Sequence, residues 1–334
     1  MNQFPKNETI QEKGCFVLHR LSGGYNYSHD VREKLGIEIV KFKGIQTILK
    51  AIENFPNNQF LIENAISNFI NIALDSNNQN RIKEFKGIET IINLMKNFSE
   101  NENIQWISCS ALMNIATFNQ DNQNLIRQLN GIEQIINAMN KFPSNILIQE
   151  EGCGALRSLS AVNQENQIKI QKLNGIELII KLMNDFSDNQ EIQWKACGAL
   201  RNICVVEQNK IKIGELNGIE SIIKAMNKFP QNIEIQYFAS SALRNIGVNF
   251  ENKIKIRKLN GIEPIIRAMD NFPNDRDIQF NGCGALNILS FNKDNKIKIK
   301  ELNGIQSLRT ALANFPENKD IQKWGKFAIL NLLN

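Results

Sequence analysis

The sequence predicts an all-α fold, an α-solenoid of about seven three-helix repeats preceded by one long helix. Three observations predict it. A Gly-Ile pair recurs at Gly44, Gly87, Gly131, Gly175, Gly218, Gly261 and Gly304, always 43 or 44 residues apart, and self-similarity at such a period is the signature of stacked helical units. Within each period, apolar residues fall at helical spacing. Turn residues divide each period into three segments. The 334 residues therefore read as one elongated domain, 1–334, in place of the two or three globular domains that length alone suggests.

The unit from Gly131 to Asn174 shows each element. Ile132, Ile135, Ile136, Met139 and Phe142 line one face of a helix that Pro143 stops. A second, longer helix from Ile148 to Ala161 carries the stretch GCGALRSL. After a polar Asn/Gln/Glu loop, Ile168 to Leu173 forms a short third helix ending at Asn174-Gly175. Glycine adopts the left-handed cap conformation without strain, so it is the expected turning residue at each joint.

The chain starts and stops partway through this cycle. Phe4-Pro5 matches Phe55-Pro56, Phe142-Pro143, Phe229-Pro230, Phe272-Pro273 and Phe315-Pro316, with serine after Phe98 and Phe186, which gives eight long helices and seven intervening pairs. The first interval, Phe4 to Phe55, is 51 residues. Its excess lies within residues 23–38, including Tyr25, Tyr27 and His29, and reads as a lengthened loop or a distorted short helix. Cys15, Cys109, Cys153, Cys197 and Cys283 share one repeat position, which the last long helix gives to Lys326. A charge there suits a terminal face meeting water. The first long helix has no such change, which leaves room for further units before it.

Composition narrows the function classes. With 39 basic and 34 acidic residues the formal charge is only +5, too mild to imply nucleic acid or a membrane surface as partner. No apolar run has signal-peptide character, and none reaches the roughly 18 residues of a membrane span. A cytoplasmic protein is expected, with the nucleus as the alternative. Sequons at Asn7, Asn26 and Asn97 arise by chance in so Asn-rich a chain, and the excess of Asn, Ile and Lys reads as the mark of an AT-biased genome. The two histidines, His19 and His29, and the lack of a G-x-S-x-G elbow or a GxxxxGK[ST] loop argue against an enzyme. No cofactor is expected. Cysteines recurring once per unit lack zinc spacing and, on units about 10 Å apart, lie beyond disulfide reach. They read as buried packing residues, Cys15 with His19 being the sole pair one helical turn apart.

The period, the glycine joint and the GCGALRNI-type long helix resemble the armadillo repeat over essentially the whole chain. The wording GIE-II-KAM-N-FP followed by IQ-GC-AL-N is most similar to arrays in protist scaffold proteins and leucine-rich-repeat kinases. The resemblance implies a right-handed superhelix whose long helices line a groove, with asparagines bonding the backbone of an extended peptide. The matching positions are Asn71, Asn114, Asn202, Asn245 and Asn331, with departures at Arg20, Ser158 and Ile288. The tryptophans that precede each such asparagine in nuclear import adaptors are replaced by Ser67, Ser110, Gly198 and Ser241, which counts against nuclear localisation signals as cargo.

A helical wheel at about 100° per residue separates the faces of the long helix without help from the family. Counting from its leading aliphatic as position 0 (Ile104, Ile148, Ile192, Ile235, Ile278), positions 0, 4, 7, 8 and 11 are apolar or small. Positions 2, 3, 6, 9, 10 and 13 form the opposite side. There lie Trp106, Trp194, Tyr237 and Phe280 at position 2, Arg157, Arg201 and Arg244 at position 9, and the asparagines at position 10, with Trp324 and Asn331 on the last helix. Aromatics and arginines together dominate binding hot spots, and small residues at position 6 leave room between the rows. The plainer alternative is that the rings tuck under a neighbouring unit and the arginines are solvated. The unit from Gly131 is atypical, with Glu150-Glu151 in place of the aromatic and Ser158 in place of the asparagine, so a peptide groove is expected in two segments. The expected function is a non-catalytic scaffold for a protein or acidic peptide. A single-stranded nucleic-acid groove is the disfavoured alternative, and regulation of a small GTPase or kinase rests on fold analogy.

Overall fold

The computed structural model describes residues 1–23 and 27–334; Tyr25 and the sequon at Asn26 lie outside them. Among the described residues there are 22 helices and no strands. Eight are long: α1 (Glu8–Leu21), α4 (Gln59–Ile72), α7 (Glu102–Ala116), α10 (Ile146–Ser160), α13 (Gln190–Ile203), α16 (Ile233–Ile246), α19 (Arg276–Leu289) and α22 (Lys319–Leu333). A short helix follows each of the first seven: α2 (His29–Lys41), α5 (Ser76–Glu84), α8 (Gln120–Gln128), α11 (Gln164–Lys172), α14 (Glu207–Glu215), α17 (Phe250–Lys258) and α20 (Lys293–Glu301). A third series, here termed joint helices, completes the units: α3 (Gly44–Asn54), α6 (Gly87–Asn97), α9 (Gly131–Lys141), α12 (Gly175–Asp185), α15 (Gly218–Lys228), α18 (Ile262–Asn271) and α21 (Gly304–Asn314). The helices form an all-α solenoid. It divides into two compact units, Met1–Lys169 and Ile170–Asn334, the boundary falling within α11.

Each long helix starts at a side-chain cap. The Oδ1 of Asn58, Asn101, Asn145, Asn189, Asn232, Asp275 and Asn318 accepts the backbone N–H three residues on, at 2.7–3.0 Å, filling one of the orphan donors of a helix N-terminus. Asp75, Asn119, Asn163, Asn249 and Asn292 do the same for short helices. This corrects two expectations. The third helix of the Gly131 unit begins at Gln164, four residues before the apolar periodicity becomes visible, because its first turn is polar and held by Asn163. The asparagines, read as compositional bias, hold specific structural posts.

A third correction concerns the joints. The left-handed residue is the one before the glycine: Lys43, Lys86, Asn130, Asn174, Asn217, Asn260 and Asn303 have φ between 57° and 62°. Gly261 has φ −75°. The glycine is needed for close approach instead. A Cβ on Gly131 would stand 2.9 Å from the Ile126 carbonyl oxygen and 3.0 Å from the Ile92 Cδ1. The joint is thus a division of labour, since asparagine tolerates the left-handed region and glycine lets two helices and a neighbouring isoleucine converge.

The long and joint helices of a repeat are locked by one glutamine. At position 1 of the long helix, Gln105, Gln149, Gln193, Gln236, Gln279 and Gln322 each donate both Nε2 hydrogens to two carbonyls ending the preceding joint helix. Gln236, for example, reaches Met226 O at 3.0 Å and Phe229 O at 2.9 Å. Gln11 does the same with Met1 O and Phe4 O. In α4 the position is Ile62. Around these clamps, position 0, position 8 and the joint-helix isoleucines build the core.

About half of the excess of the first interval is helix: α2 has 13 residues where the other short helices have 9. It runs close to the end of α4, where a Cβ on Gly36 would lie 2.9 Å from the Asn71 carbonyl oxygen.

Two outcomes test this account. Asn130→Gly is expected to change stability by no more than about 0.5 kcal/mol, because glycine accepts the left-handed conformation, whereas Gly131→Ala is expected to cost about 2 kcal/mol through overpacking; urea unfolding of the two variants discriminates. Gln236→Leu, which strips two buried carbonyls of their donor, is expected to lower stability by roughly 2–4 kcal/mol and to raise amide exchange in α15 and α16 before the rest of the chain.

Candidate functional site: an arginine and aromatic face

The outward face of the long helices in the second unit is a layered assembly. Trp194 on α13 stacks on Phe238 of α16, with ring centroids 5.7 Å apart and planes 21° apart, and Tyr237 meets Phe238 edge-on at 4.6 Å. The Arg201 guanidinium lies 5.5 Å from the Tyr237 centroid and 5.9 Å from that of Phe238. Its Nε donates to the Ser241 Oγ at 2.9 Å. One repeat on, the Arg244 guanidinium sits 4.5 Å from the Phe280 centroid and donates to the Asn281 Oδ1 at 3.3 Å. On α22, Lys323 lies over Trp324 at 4.7 Å, and Trp324 meets Phe327 edge-on at 6.4 Å.

The rule behind this arrangement is that position 9 of one long helix reaches the ring at position 2 or 3 of the next. Position 6 is small because the arginine lies across it. A Cβ on Gly284 would meet Arg244 Nε at 2.7 Å, and Ser241 anchors Arg201. The room expected between the rows is therefore filled by the protein's own guanidiniums. Trp106, Trp194, Tyr237, Phe280, Trp324, Arg157, Arg201 and Arg244 are all half-buried, not exposed as the wheel suggested; Trp194, Tyr237, Phe280, Trp324, Arg201 and Arg244 owe this to the ring and guanidinium contacts above. Phe238 and Asn281, at position 3, belong to the face and were passed over individually; the signal that could have found them is that position 3 shares the outward side.

The asparagines need a larger correction. Asn114 Nδ2 donates to the Ile70 carbonyl at 2.9 Å and Asn245 Nδ2 to the Arg201 carbonyl at 3.3 Å, each on the preceding long helix. Asn331 donates to Asn287 Oδ1 and Ser290 Oγ, both at 3.3 Å. Asn71 donates to Ser22 Oγ and is buried, which removes it from any groove. An amide has two N–H donors and one acceptor, so half-buried Asn114, Asn245 and Asn331 retain some capacity for an outside group, but their first use is to tie repeat to repeat; Asn202 is half-buried as well. Ser158 is likewise buried, its Oγ 3.1 Å from Thr117 Oγ1.

No carboxylate lies within ion-pair distance of Arg201 or Arg244 among the described residues. Burial, and then the like charge of Arg201, hold the Arg244 pKa below the usual arginine range, with Asp320 partly offsetting. An arginine stays charged even so. The two guanidiniums thus lie on aromatic cushions on adjacent repeats, with Asp320 acting on Arg244 from beyond ion-pair distance.

The six cysteines are buried. Burial pushes the thiols of Cys15, Cys204 and Cys283 up to about 12 and raises that of Cys109 further. His19, one turn from Cys15, is half-buried, and burial followed by Arg20 lowers its pKa. Among the described residues no helix is long and apolar enough to cross a membrane.

The buried thiols lead to a two-part prediction. Thiol-disulfide reagent at pH 8 is expected to leave these cysteines unmodified in the folded chain and to titrate all six after denaturation, since the thiolate is the reactive form. Because folding raises these pKa values from near 9 to about 12, the thiols' contribution to stability is intact below pH 9 and is lost as pH climbs from 9 towards 12. Denaturation midpoints at pH 8 and 10.5, compared with those of a Cys204→Ala variant, read that loss.

The profile of the family described as the LRRK2 ARM repeat matches residues 1–175, more than half of the chain, and the armadillo/beta-catenin-like repeat profile matches residues 163–205. No curated protein matches the chain significantly. Among solved structures, an engineered protein is similar with TM-score 0.65 and 22% identity, over 74% of this chain and 96% of its own. Computationally designed armadillo repeat proteins for modular peptide recognition align with TM-score 0.62 and 16% identity, over 73% of this chain and 99% of theirs. A chain from a study of a phosphorylation switch controlling the interaction between cadherin and beta-catenin aligns with TM-score 0.70 and 17% identity; 95% of this chain is covered, and it spans 60% of that one. With the repeat period, the three-helix unit and the profile match in agreement, this chain belongs to the armadillo-repeat family.

Proposed function

We propose that the chain is a non-catalytic protein-binding scaffold that holds an acidic peptide segment against the long helices of its second unit. The observation that carries this reading is the pair Arg201 and Arg244, laid on Tyr237, Phe238 and Phe280 with no carboxylate in ion-pair distance. A peptide carboxylate would relieve the repulsion between the two guanidiniums in a partly desolvated setting, where charge-assisted bonds are strongest. The half-open faces of Trp194 and Tyr237 would take apolar side chains beside it. The armadillo neighbours that recognise peptides, or take part in a cadherin interaction, support the general role. The proposed setting is the cytoplasm.

The test is fluorescence anisotropy with peptides of equal length, acidic, neutral and basic, each with two aromatics, and with an oligo-dT control. The acidic peptide is expected to bind best, with affinity falling as salt rises. Arg201→Ala with Arg244→Ala is expected to weaken it at least about tenfold, each lost charge-assisted bond being worth roughly 1.5–3 kcal/mol, with the far-ultraviolet circular dichroism unchanged. Unaltered binding by the double variant, or oligo-dT outcompeting the acidic peptide, would overturn the proposal.

A further inference from the structure

A second site lies at the start of the first unit, remote in kind from the arginine face. A cavity of about 530 Å³ opens between α1, α2 and the beginning of α3, with Val17, Leu18, Leu21, Leu35, Ile39 and Phe42 among its walls. It is almost wholly apolar, and its walls are exposed where their counterparts elsewhere are not. Positions 7 and 11 are buried in each of the other seven long helices, whereas in α1 they are Val17, 49% exposed, and Leu21, 60% exposed. Ile39 is half-buried, while Ile82, Ile126, Ile170, Ile213, Ile256 and Ile299 at the same repeat position are fully buried.

The other joints show what covers this place. Above Gly131, Gly218, Gly261 and Gly304 sits the δ-methyl of Ile92, Ile180, Ile223 or Ile266, contributed by the preceding joint helix. At Gly44 the corresponding space is part of the cavity. Met1 to Phe4 already mimic the last turn of a joint helix: Gln11 takes the Met1 and Phe4 carbonyls as Gln105 takes those of Met95 and Phe98, and Met1 packs over Gly14 as Met139 packs over Gly152. The cavity therefore has the shape of the rest of that helix.

We propose that this cavity is a docking site for an amphipathic helix of a partner protein, presenting branched aliphatic side chains at i, i+3 and i+4 in the register of a joint helix. It continues the repeat-stacking interface by one element. A second copy of this chain is the wrong occupant, because its last repeat carries exposed Arg309 where five of the other six joint helices place isoleucine and α3 places Leu49, and exposed Lys326 where most other long helices place cysteine. Those charges would enter a largely apolar cavity whose one lining carboxylate, Glu38, already pairs with Lys41, and so would be buried at high desolvation cost. A partner helix with the pattern G-I-x-x-I-I meets no such penalty.

The probe is a fluorescein-labelled peptide carrying Gly218–Ala225, stapled on its polar face because so short a helix does not persist in water. Saturable binding to the full chain is expected. Leu21→Lys, an exposed position whose change should leave the thermal melt in place, is expected to weaken binding at least tenfold, and serine at both adjacent isoleucines of the peptide should abolish it. The Arg201→Ala, Arg244→Ala variant should bind the peptide as the wild type does, which separates this site from the arginine face. Absence of saturable binding, equal binding by Leu21→Lys, or a loss of peptide affinity in the arginine variant would overturn the proposal. So would self-association in sedimentation equilibrium that Leu21→Lys removes, since the cavity would then belong to a second copy.

Discussion

The architecture depends on a glutamine that recurs at position 1 of every long helix except α4, where Ile62 stands. A joint helix ends inside the protein, and the carbonyls of its last turn have no intrahelical donors. Burying them unmet would cost more than the neighbouring apolar contacts return. A glutamine at position 1 of the following long helix supplies both N–H groups of one amide to two of them, as Gln279 does for Met269 and Phe272. That single side chain sets the crossing of two helices and the rotation of the long helix about its own axis. Once position 1 is pinned inward, positions 2 and 3 must lie at the edge of the core, and positions 6, 9 and 10 follow on the same side. The aromatic and arginine rows exist as rows because the clamp recurs.

Asparagine is the second recurrent agent, and its roles pull the functional reading away from it. It caps long and short helices, occupies five of the seven left-handed joints, and ties one long helix to the next through position 10. In the short helices, Asn122 and Asn166 also reach carbonyls of the preceding short helix. Each role uses the same property, a compact side chain with both donor and acceptor. The guanidiniums of Arg201 and Arg244 and the ring faces beside them in the second unit lie outside these asparagine roles.

The same logic explains the terminal repeats. Interior repeats are satisfied on both sides by near-copies of themselves, the nearest-neighbour condition of a solenoid. At one end Arg309 and Lys326 make the outer face compatible with water. At the other, Val17, Leu21 and Phe42 retain the chemistry of a covered face.

Much was legible in the sequence because it repeats. The Gly-Ile period, the apolar spacing and the Phe-Pro stops determined the number, order and approximate bounds of the helices, since each signal is local and was sampled several times. Periodicity also placed Arg201, Arg244, Trp194, Tyr237 and Phe280 on one side of their helices. It could not show that Asn163 starts a helix whose first turn is polar, or that Asn130 and not Gly131 holds the left-handed conformation, because both depend on which atom meets which neighbour. Only the tertiary structure decided that Arg244 lies across Gly284 onto Phe280, that Asn245 is spent on the Arg201 carbonyl, and that the walls at Val17 and Leu21 stand open. Those are relations between repeats, and a one-dimensional pattern records what each repeat contains without recording how far its side chains reach into the next.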